Sequence, residues 1–430
     1  MDSHLPEKLL TEAKWPEEPL GPYMIKQIFR QLAIRDSNNF KNSCGVGERE
    51  GRIHCEIVKE RNFYLAHGIG RSGQIDEIQP KAIGSSIMSR LSNRIVFQAL
   101  NLFFENDGCT SYIGERRGCS VSVSDSIIMP VDIDMCTWLC VRTLKPERVV
   151  LIDYPGDIDK HSKDVEDTHL MLILNSTKQT CLKTINIRES NWSSEASKEI
   201  VQNSIVVCTK RSLNTVCINS DGESWLQTVL TLCEVNSAHC ILESVDQRCL
   251  IKGDYLVVMC SAGVCCCSPI TGGSIVFSTG DSSSTWLAKL KKAYPGRATA
   301  QFHIDCLVSL LEMGRIKYRQ MLSDRQKYVS SMYDRLSLVL KRGGDHNIVE
   351  TISLCEMCPA VHLKFKRLVP NINKVLTTSN LSKHCYFIME DKAQLKLKLP
   401  LCVKASDVNE IINTLIAMFD NVEDIQVLIK

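Results

Sequence analysis

Residues 67–86 read HGIGRSGQIDEIQPKAIGSS, and whether this stretch is a nucleotide loop decides what fold to expect around it. Gly68, Gly70 and Gly73 satisfy the spacing G-x-G-x-x-G, which marks a dinucleotide site only when a strand precedes it and a helix follows directly. A strand over residues 62–66 meets the first condition. The second fails, because Pro80 would fall in the second turn of the required helix, where its ring clashes with the preceding turn. What is left is a glycine-rich loop whose backbone N–H groups can converge on an anion, with Arg71 offering a planar fork of donors suited to phosphate. Ligand-free loops of the same composition are common, and from the chemistry alone both readings stay open.

Working outward, residues 127–280 carry short apolar runs: VVLID (149–153), LMLIL (170–174), SIVVC (204–208), CILE (240–243), YLVVMC (255–260) and SIVF (274–277). Strands with no polar face are covered on both sides, the habit of a mainly parallel sheet, and polar or helical segments such as 224–234 separate them. Upstream, Ile25, Ile28, Phe29 and Leu32 and then Ile87, Leu91, Ile95 and Leu100 repeat at helical spacing over 22–35 and 86–104. The helical period returns from about residue 300 through Leu307, Leu310, Leu311, Tyr328, Met332, Leu336 and Val339. The tail adds strands at VHLKFK (361–366) and CYFIM (385–389) and a helix through Val408, Ile411, Ile412, Leu415 and Phe419. The chain reads as a helical segment over 1–60, a large α/β domain over 61–300 and a smaller α+β domain over 301–430.

Length and composition agree with two domains, since 430 residues with 44% hydrophobic content can bury a sizeable core. Lys+Arg 51 against Asp+Glu 49 leaves a net charge of +2, so no global basic field draws nucleic acid, and any RNA contact is a local patch. The 21 cysteines accompany a start, MDSHLPEKLL, that lacks the basic and apolar regions of a signal peptide. Free thiols in a reducing compartment are expected. The longest apolar run, LVVMCSAGVCCC (256–267), is shorter than the roughly 20 residues that span a bilayer. A soluble, cytoplasmic protein with no membrane partner is expected.

Four blocks then carry a specific likeness: LAIRDSNNF (32–40), CGVGEREGR (44–52), HGIGRSGQIDEIQPKAIGSS (67–86) and YPGRATA (294–300). In this order they resemble the O-phosphoseryl-tRNA(Sec) selenium transferase family, the selenocysteine synthases of eukaryotes and archaea. The likeness is carried by residues 32–104 and 287–322, fades over 127–280 and is not followed beyond about 345. It implies a fold-type I transferase dependent on pyridoxal 5'-phosphate, usually a homotetramer, that exchanges the phosphate of phosphoseryl-tRNA(Sec) for selenium from selenophosphate. By the same resemblance Arg71, Ser72 and Gln79 contact the substrate phosphate and Arg297 completes that anion site. Arg49 lies near the cofactor, and Glu48 is the filter that repels free amino-acid carboxylates. The grouping is chemically sensible, because two arginines and oriented N–H groups can bind a phosphate leaving group and stabilise its charge as it departs.

The chain departs from the family at three places, all near the cofactor. Pyridoxal phosphate is held by a lysine through an imine, yet in VVMCSAGVCCCSPITGGSIVF (257–277) Val264 falls near the lysine position, and no lysine occurs between Lys252 and Lys289. Where the family has small residues for the cofactor phosphate, IMPVDIDMC (128–136) puts Asp132 and Asp134, and carboxylates repel a dianion. Glu243 and Ser244 replace an Asn pair at the strand end facing the pyridine nitrogen, and the segment that follows is shorter.

Three readings remain. The chain is a divergent family member bound to tRNA(Sec) with catalysis impaired or lost. Alternatively it is an active transferase using a non-standard lysine, Lys252 or Lys289. Alternatively it is a pseudoenzyme subunit that forms a hetero-oligomer with an intact paralogue and regulates it. Elsewhere, Cys355, Cys358, His362, His384 and Cys385 have part of a zinc spacing but lack a second C-x2-C, so scattered thiols explain them better and no metal is assigned. The cysteines at 265–267 suit core packing. HLKFKRLVPNINK (362–374) sets Lys364 and Lys366 on one strand face, either an RNA-backbone patch with Arg367 and Lys374 or a solvated face.

Overall fold

The structure, a computed structural model, describes residues 9, 11–35, 55–57, 71–72, 83–105, 123–129, 131–153, 181–187, 189–209, 225–244, 253–260, 273–293, 301–342, 349–354, 360–366, 386–391 and 394–420. In chain order the elements are α1 (Pro22–Arg35), β1 (Arg71–Ser72), β2 (Ile83–Gly84), α2 (Ser85–Glu105), β3 (Asp125–Met129), α3 (Ile133–Leu144), β4 (Arg148–Asp153), β5 (Cys181–Asn186) and α4 (Trp192–Glu199). There follow β6 (Ile205–Cys208), α5 (Trp225–Val235), β7 (His239–Ser244), β8 (Leu256–Cys260), β9 (Ser274–Ser278), α6 (Asp281–Ala293) and α7 (Gln301–Arg342). The last are β10 (Val349–Leu354), β11 (Ala360–Phe365), β12 (Tyr386–Asp391), β13 (Gln394–Lys398) and α8 (Ala405–Asp420).

Seven strands form one sheet in the order β3-β9-β8-β7-β6-β4-β5. β9 runs antiparallel to both its neighbours and the remaining pairs are parallel. The all-apolar runs have the reason expected of them: successive side chains point to opposite faces, and both faces are buried. Val149, Leu151, Ile205, Val207, Ile241 and Val258 pack on one side with Cys136 and Cys140 of α3 and Trp286 and Leu287 of α6. Val150, Ile152, Val206, Leu242 and Val257 pack on the other with α1, α2, α5 and the first half of α7. Trp286 Nε1 donates to the Cys140 carbonyl at 3.1 Å, fastening α6 to α3.

The second sheet is antiparallel, in the order β10-β11-β13-β12. Val361, Leu363, Phe365, Leu395 and Leu397 form a separate core with Val408, Ile411, Ile412 and Leu415 of α8 and with Val329, Met332 and Leu336 of α7. One long helix thus contributes to both cores, up to Leu322 in the first and from Val329 in the second. The apolar run at 170–174 lies outside the described residues. Besides the two-residue β1 and β2, four strands that the apolar pattern did not announce are present: β3, β5, β10 and β13. β5 is an edge strand with Cys181, Lys183 and Thr184 exposed, so it never needed an apolar run.

Candidate functional site at the carboxyl edge of the large sheet

In open α/β sheets ligands lie outside the carboxyl ends of the strands, and here that edge collects an acidic set. β3 ends at Met129 and the chain turns into α3. Ser274, the first residue of antiparallel β9, reaches the same edge, and its Oγ donates to the Val131 carbonyl at 2.8 Å. Asp132 caps α3: its backbone is extended (φ −65, ψ 171) and its side chain accepts from the Met135 N–H at 2.8 Å. Asp134 follows in the first turn. Both carboxylates answer the positive end of the helix, which has N–H groups without intrahelical partners.

Glu243, near the end of β7, is only 3% exposed and accepts a 2.7 Å hydrogen bond from Thr137 Oγ1 on α3. Between the carboxylates sits Cys136, whose thiol burial pushes well above its usual range, helped by the Cys140 thiol and then by the charges of Glu243 and Asp132. Its Sγ donates to Met129 Sδ at 3.5 Å. A thiol held protonated this way is neither a nucleophile nor a metal-binding thiolate. Further along the edge, Thr209 Oγ1 donates to Asp153 Oδ1 at 2.6 Å, joining the ends of β4 and β6. Thr137 and Thr209 had no motif to announce them, whereas an aspartate closing the buried run VVLID was a signal available in the sequence.

The sequence-derived residues are distributed as follows. Arg71 and Ser72 form β1, paired antiparallel with β2 so that Arg71 faces Gly84 and Ser72 faces Ile83. This hairpin brings the backbone of Arg71 beside the first residue of α2, Ser85. Glu48, Arg49, Gln79, Val264 and Arg297 lie outside the described residues. The blocks they belong to run into elements that are locked together. Residues 294–300 lead into α7, where His303 Nδ1 lies 2.8 Å from Ser92 Oγ of α2, both buried. Burial depresses His303 to about 4, so the ring is neutral at physiological pH. Phe302 presses on Gly273, where an added Cβ would lie 2.2 Å from the ring. The start of α7 therefore holds both α2 and the exit of the 257–277 stretch.

Lys289, one of the two substitute lysines considered from the sequence, is at the wrong end of the sheet. It is exposed on α6, and its charge bears on His239, the first residue of β7, whose pKa is lowered mainly by burial, with Asp254 opposing and Lys289 adding to the shift. Glu243 lies four residues further along the strand, about 13 Å away at roughly 3.3 Å per residue. Lys252 is outside the described residues. On β11, Lys364 Nζ is matched by Glu350 Oε2 at 3.1 Å, Lys366 is exposed, and Arg367 and Lys374 fall outside the described residues. Cys355, Cys358, His384 and Cys385 fall outside them too; among the described residues no group of three or more His, Cys, Asp or Glu could hold a metal ion. Among them also, no helix is long and apolar enough to cross a membrane. Cys136, Cys140, Cys208, Cys233, Cys240 and Cys306 are buried free thiols.

A sheet of this order, antiparallel only at β9 and covered by helices on both faces, with a small antiparallel unit carried on a long helix, is the architecture of the fold-type I transferases that use pyridoxal phosphate. The crystal structure of an archaeal O-phosphoseryl-tRNA(Sec) selenium transferase superposes with a TM-score of 0.67 over 96% of this chain and 93% of that one, at 19% identity. The family model for O-phosphoseryl-tRNA(Sec) selenium transferase, SepSecS, matches residues 35–150 and 233–414, and the chain belongs to that family. Relatives with this name include those of Dictyostelium discoideum, 25% identical over 350 residues (77% of this chain, 68% of the relative), and Methanopyrus kandleri, 27% identical over 342 residues (77% and 72%). That of Leishmania donovani is 39% identical over 134 residues, 31% of this chain and 20% of the relative. Family likeness thus reaches well past residue 345, further than the motifs could be followed. The family model leaves out residues 151–232, which hold the end of β4, all of β5, α4 and β6 and most of α5.

Proposed function

We propose that this chain acts in selenocysteine biosynthesis as a family member that recognises the phosphoserine phosphate and tRNA(Sec) while no longer performing pyridoxal-phosphate catalysis. The observation that carries this reading is Asp132. Its carboxylate takes the Met135 N–H at the start of α3, where the resemblance puts the phosphate of the cofactor, and Glu243 and Asp132 both bear on the same buried thiol. A phosphate entering there would lose a donor and meet two negative charges. The residues therefore do not fit the cofactor, and the absence of any lysine between Lys252 and Lys289 agrees with this. Lys289 does not repair the defect from the far edge of the sheet.

Retention of the substrate anion is assigned to Arg71, whose backbone pairs with Gly84, the residue before α2; an arginine and helical N–H groups are the donors that suit a phosphate. Ser72, Gln79 and Arg297 complete the proposed phosphate site, and Glu48 keeps its proposed part in excluding free carboxylates. A cytoplasmic location and assembly into an oligomer with itself or a paralogue belong to the same proposal.

The test has two arms. Incubation with pyridoxal phosphate, borohydride reduction and peptide mass mapping should yield no lysine adduct; an adduct, or selenocysteinyl-tRNA formed by the pure chain, would overturn the loss of catalysis. Filter binding should retain tRNA(Sec) over tRNA(Ser), with Arg71→Ala weakening retention of the phosphoserylated form; equal retention of the two tRNAs would overturn the recognition.

A further inference from the structure

The 42-residue helix α7 has one break, at Gly314, whose φ of 62 and ψ of 169 are not helical. In an unbroken helix the carbonyls of residues 310, 311 and 312 would accept from the N–H groups of residues 314, 315 and 316. Here a segment from the N-terminal part of the chain takes over both halves of the 311–315 rung and one half of each of the other two. Trp15 Nε1 donates to the Leu310 carbonyl at 2.7 Å and the Leu20 N–H to that of Leu311 at 3.0 Å. In the other direction the Arg315 N–H donates to the Pro16 carbonyl at 2.9 Å and the Ile316 N–H to that of Glu17 at 3.0 Å.

The fit is close on every side. An added Cβ at Gly314 would lie 2.5 Å from the carbonyl carbon of Glu18, and its φ is one that side chains rarely adopt. Trp15 is fully buried, edge-on to Tyr318 at 5.1 Å. Glu17 pairs with Arg315 at 2.8 Å. Gln98 of α2 registers the segment from behind, accepting from the Trp15 N–H at 2.9 Å and donating to the Ala13 carbonyl at 2.7 Å.

We infer that residues 13–20 are a releasable splint that sets the direction of α7 and, with it, the placement of the C-terminal unit on the large domain. Glycine adopts helical dihedrals as well as the ones seen here. When the splint leaves, the severed rungs can close on one another, so α7 has two hydrogen-bonded arrangements: bent with the splint docked, and continuous without it. Because α7 enters the second core from Val329 onward, straightening it swings that core. Trp15, Tyr318 and Leu322 share the first core, so release exposes them together and the docked form predominates. Through Gln98 the splint is tied to α2, the helix that follows the 67–86 loop.

The test uses the full chain with Gly314→Ala, which excludes the bent dihedrals and collides with Glu18 but accepts a helix. Hydrogen exchange read by mass spectrometry should show loss of protection over 13–20 while peptides spanning 315–316 stay protected in the healed helix. Energy transfer between dyes on non-natural residues at positions 292 and 413 should report a changed distance. Joint loss of protection in both segments, or an unchanged distance, overturns the inference. Trp15→Phe is the second variant, keeping a ring against Tyr318 but removing the donor to Leu310; exchange of the splint should rise about tenfold with α7 unaffected. Unaltered splint exchange in this variant also counts against it.

Discussion

Replacing Asp132 with serine removes a charge while leaving a cap in place, which makes it the sharpest probe of the proposal that the carboxyl edge rejects a cofactor. The carboxylate accepts from the Met135 N–H at 2.8 Å, and serine caps helices about as well as aspartate, so stability should change by no more than about 0.5 kcal/mol. A phosphate arriving at the same helix end would lie about 5 Å from the present carboxylate, where two unit charges repel by about 3 kcal/mol at an effective dielectric near 20. Asp132 is exposed, and screening by water lowers that to about 1 kcal/mol. Asp132→Ser should therefore bind pyridoxal phosphate about 5-fold more tightly than the parent chain. Absorbance titration measures this, with unphosphorylated pyridoxal as the control and added salt expected to narrow the gap. Equal affinities in the two proteins, or an equal gain for pyridoxal, would refute the electrostatic argument.

Three further outcomes follow from described contacts. His303 is neutral when folded, with its pKa lowered to about 4 by burial, so between its unfolded value near 6.5 and about 4 the unfolded chain binds a proton that the folded chain excludes. Stability should be flat above pH 6.5, fall by about 3 kcal/mol as pH drops through that window and level off below it, a slope that urea midpoints will detect and His303→Gln should remove. Gly273→Ala forces Phe302, 3% exposed, off its position and should cost about 1–3 kcal/mol in the same assay; a neutral result would mean that the ring moves freely. Thr137→Val preserves shape but deprives buried Glu243 of its 2.7 Å donor and should destabilise by about 1–3 kcal/mol at neutral pH. A loss much smaller than that would show that the carboxylate finds another donor.

Much of the architecture was legible because it is written in local patterns. Buried parallel strands need apolar side chains on both faces, and five of the six apolar runs appear as β4, β6, β7, β8 and β9. Elements that bury little wrote no such pattern, as the exposed positions of β5 show. β13 reads QLKLK, a strict alternation whose lysines look solvated in the sequence, yet Lys396 and Lys398 are 1% and 5% exposed. Burial of a long polar chain depends on what covers it, and composition carries no record of that.

The candidate site divides in the same way. Covalent identity alone established that no lysine lies between 252 and 289 and that carboxylates follow β3, and the ordered blocks alone pointed to the family. Contacts between distant parts of the chain were decided by packing. Asp132 became a helix cap because α3 begins at the next residue, and Glu243 met Thr137 across 106 positions because α3 lies against β7. Lys289 stands far from Glu243 because a strand has two ends and α6 places that lysine by His239, at the other one. The bond between Trp15 and Leu310 spans 295 positions: each side of it is an ordinary residue until the fold breaks a helix at Gly314 and brings the missing partners to the gap.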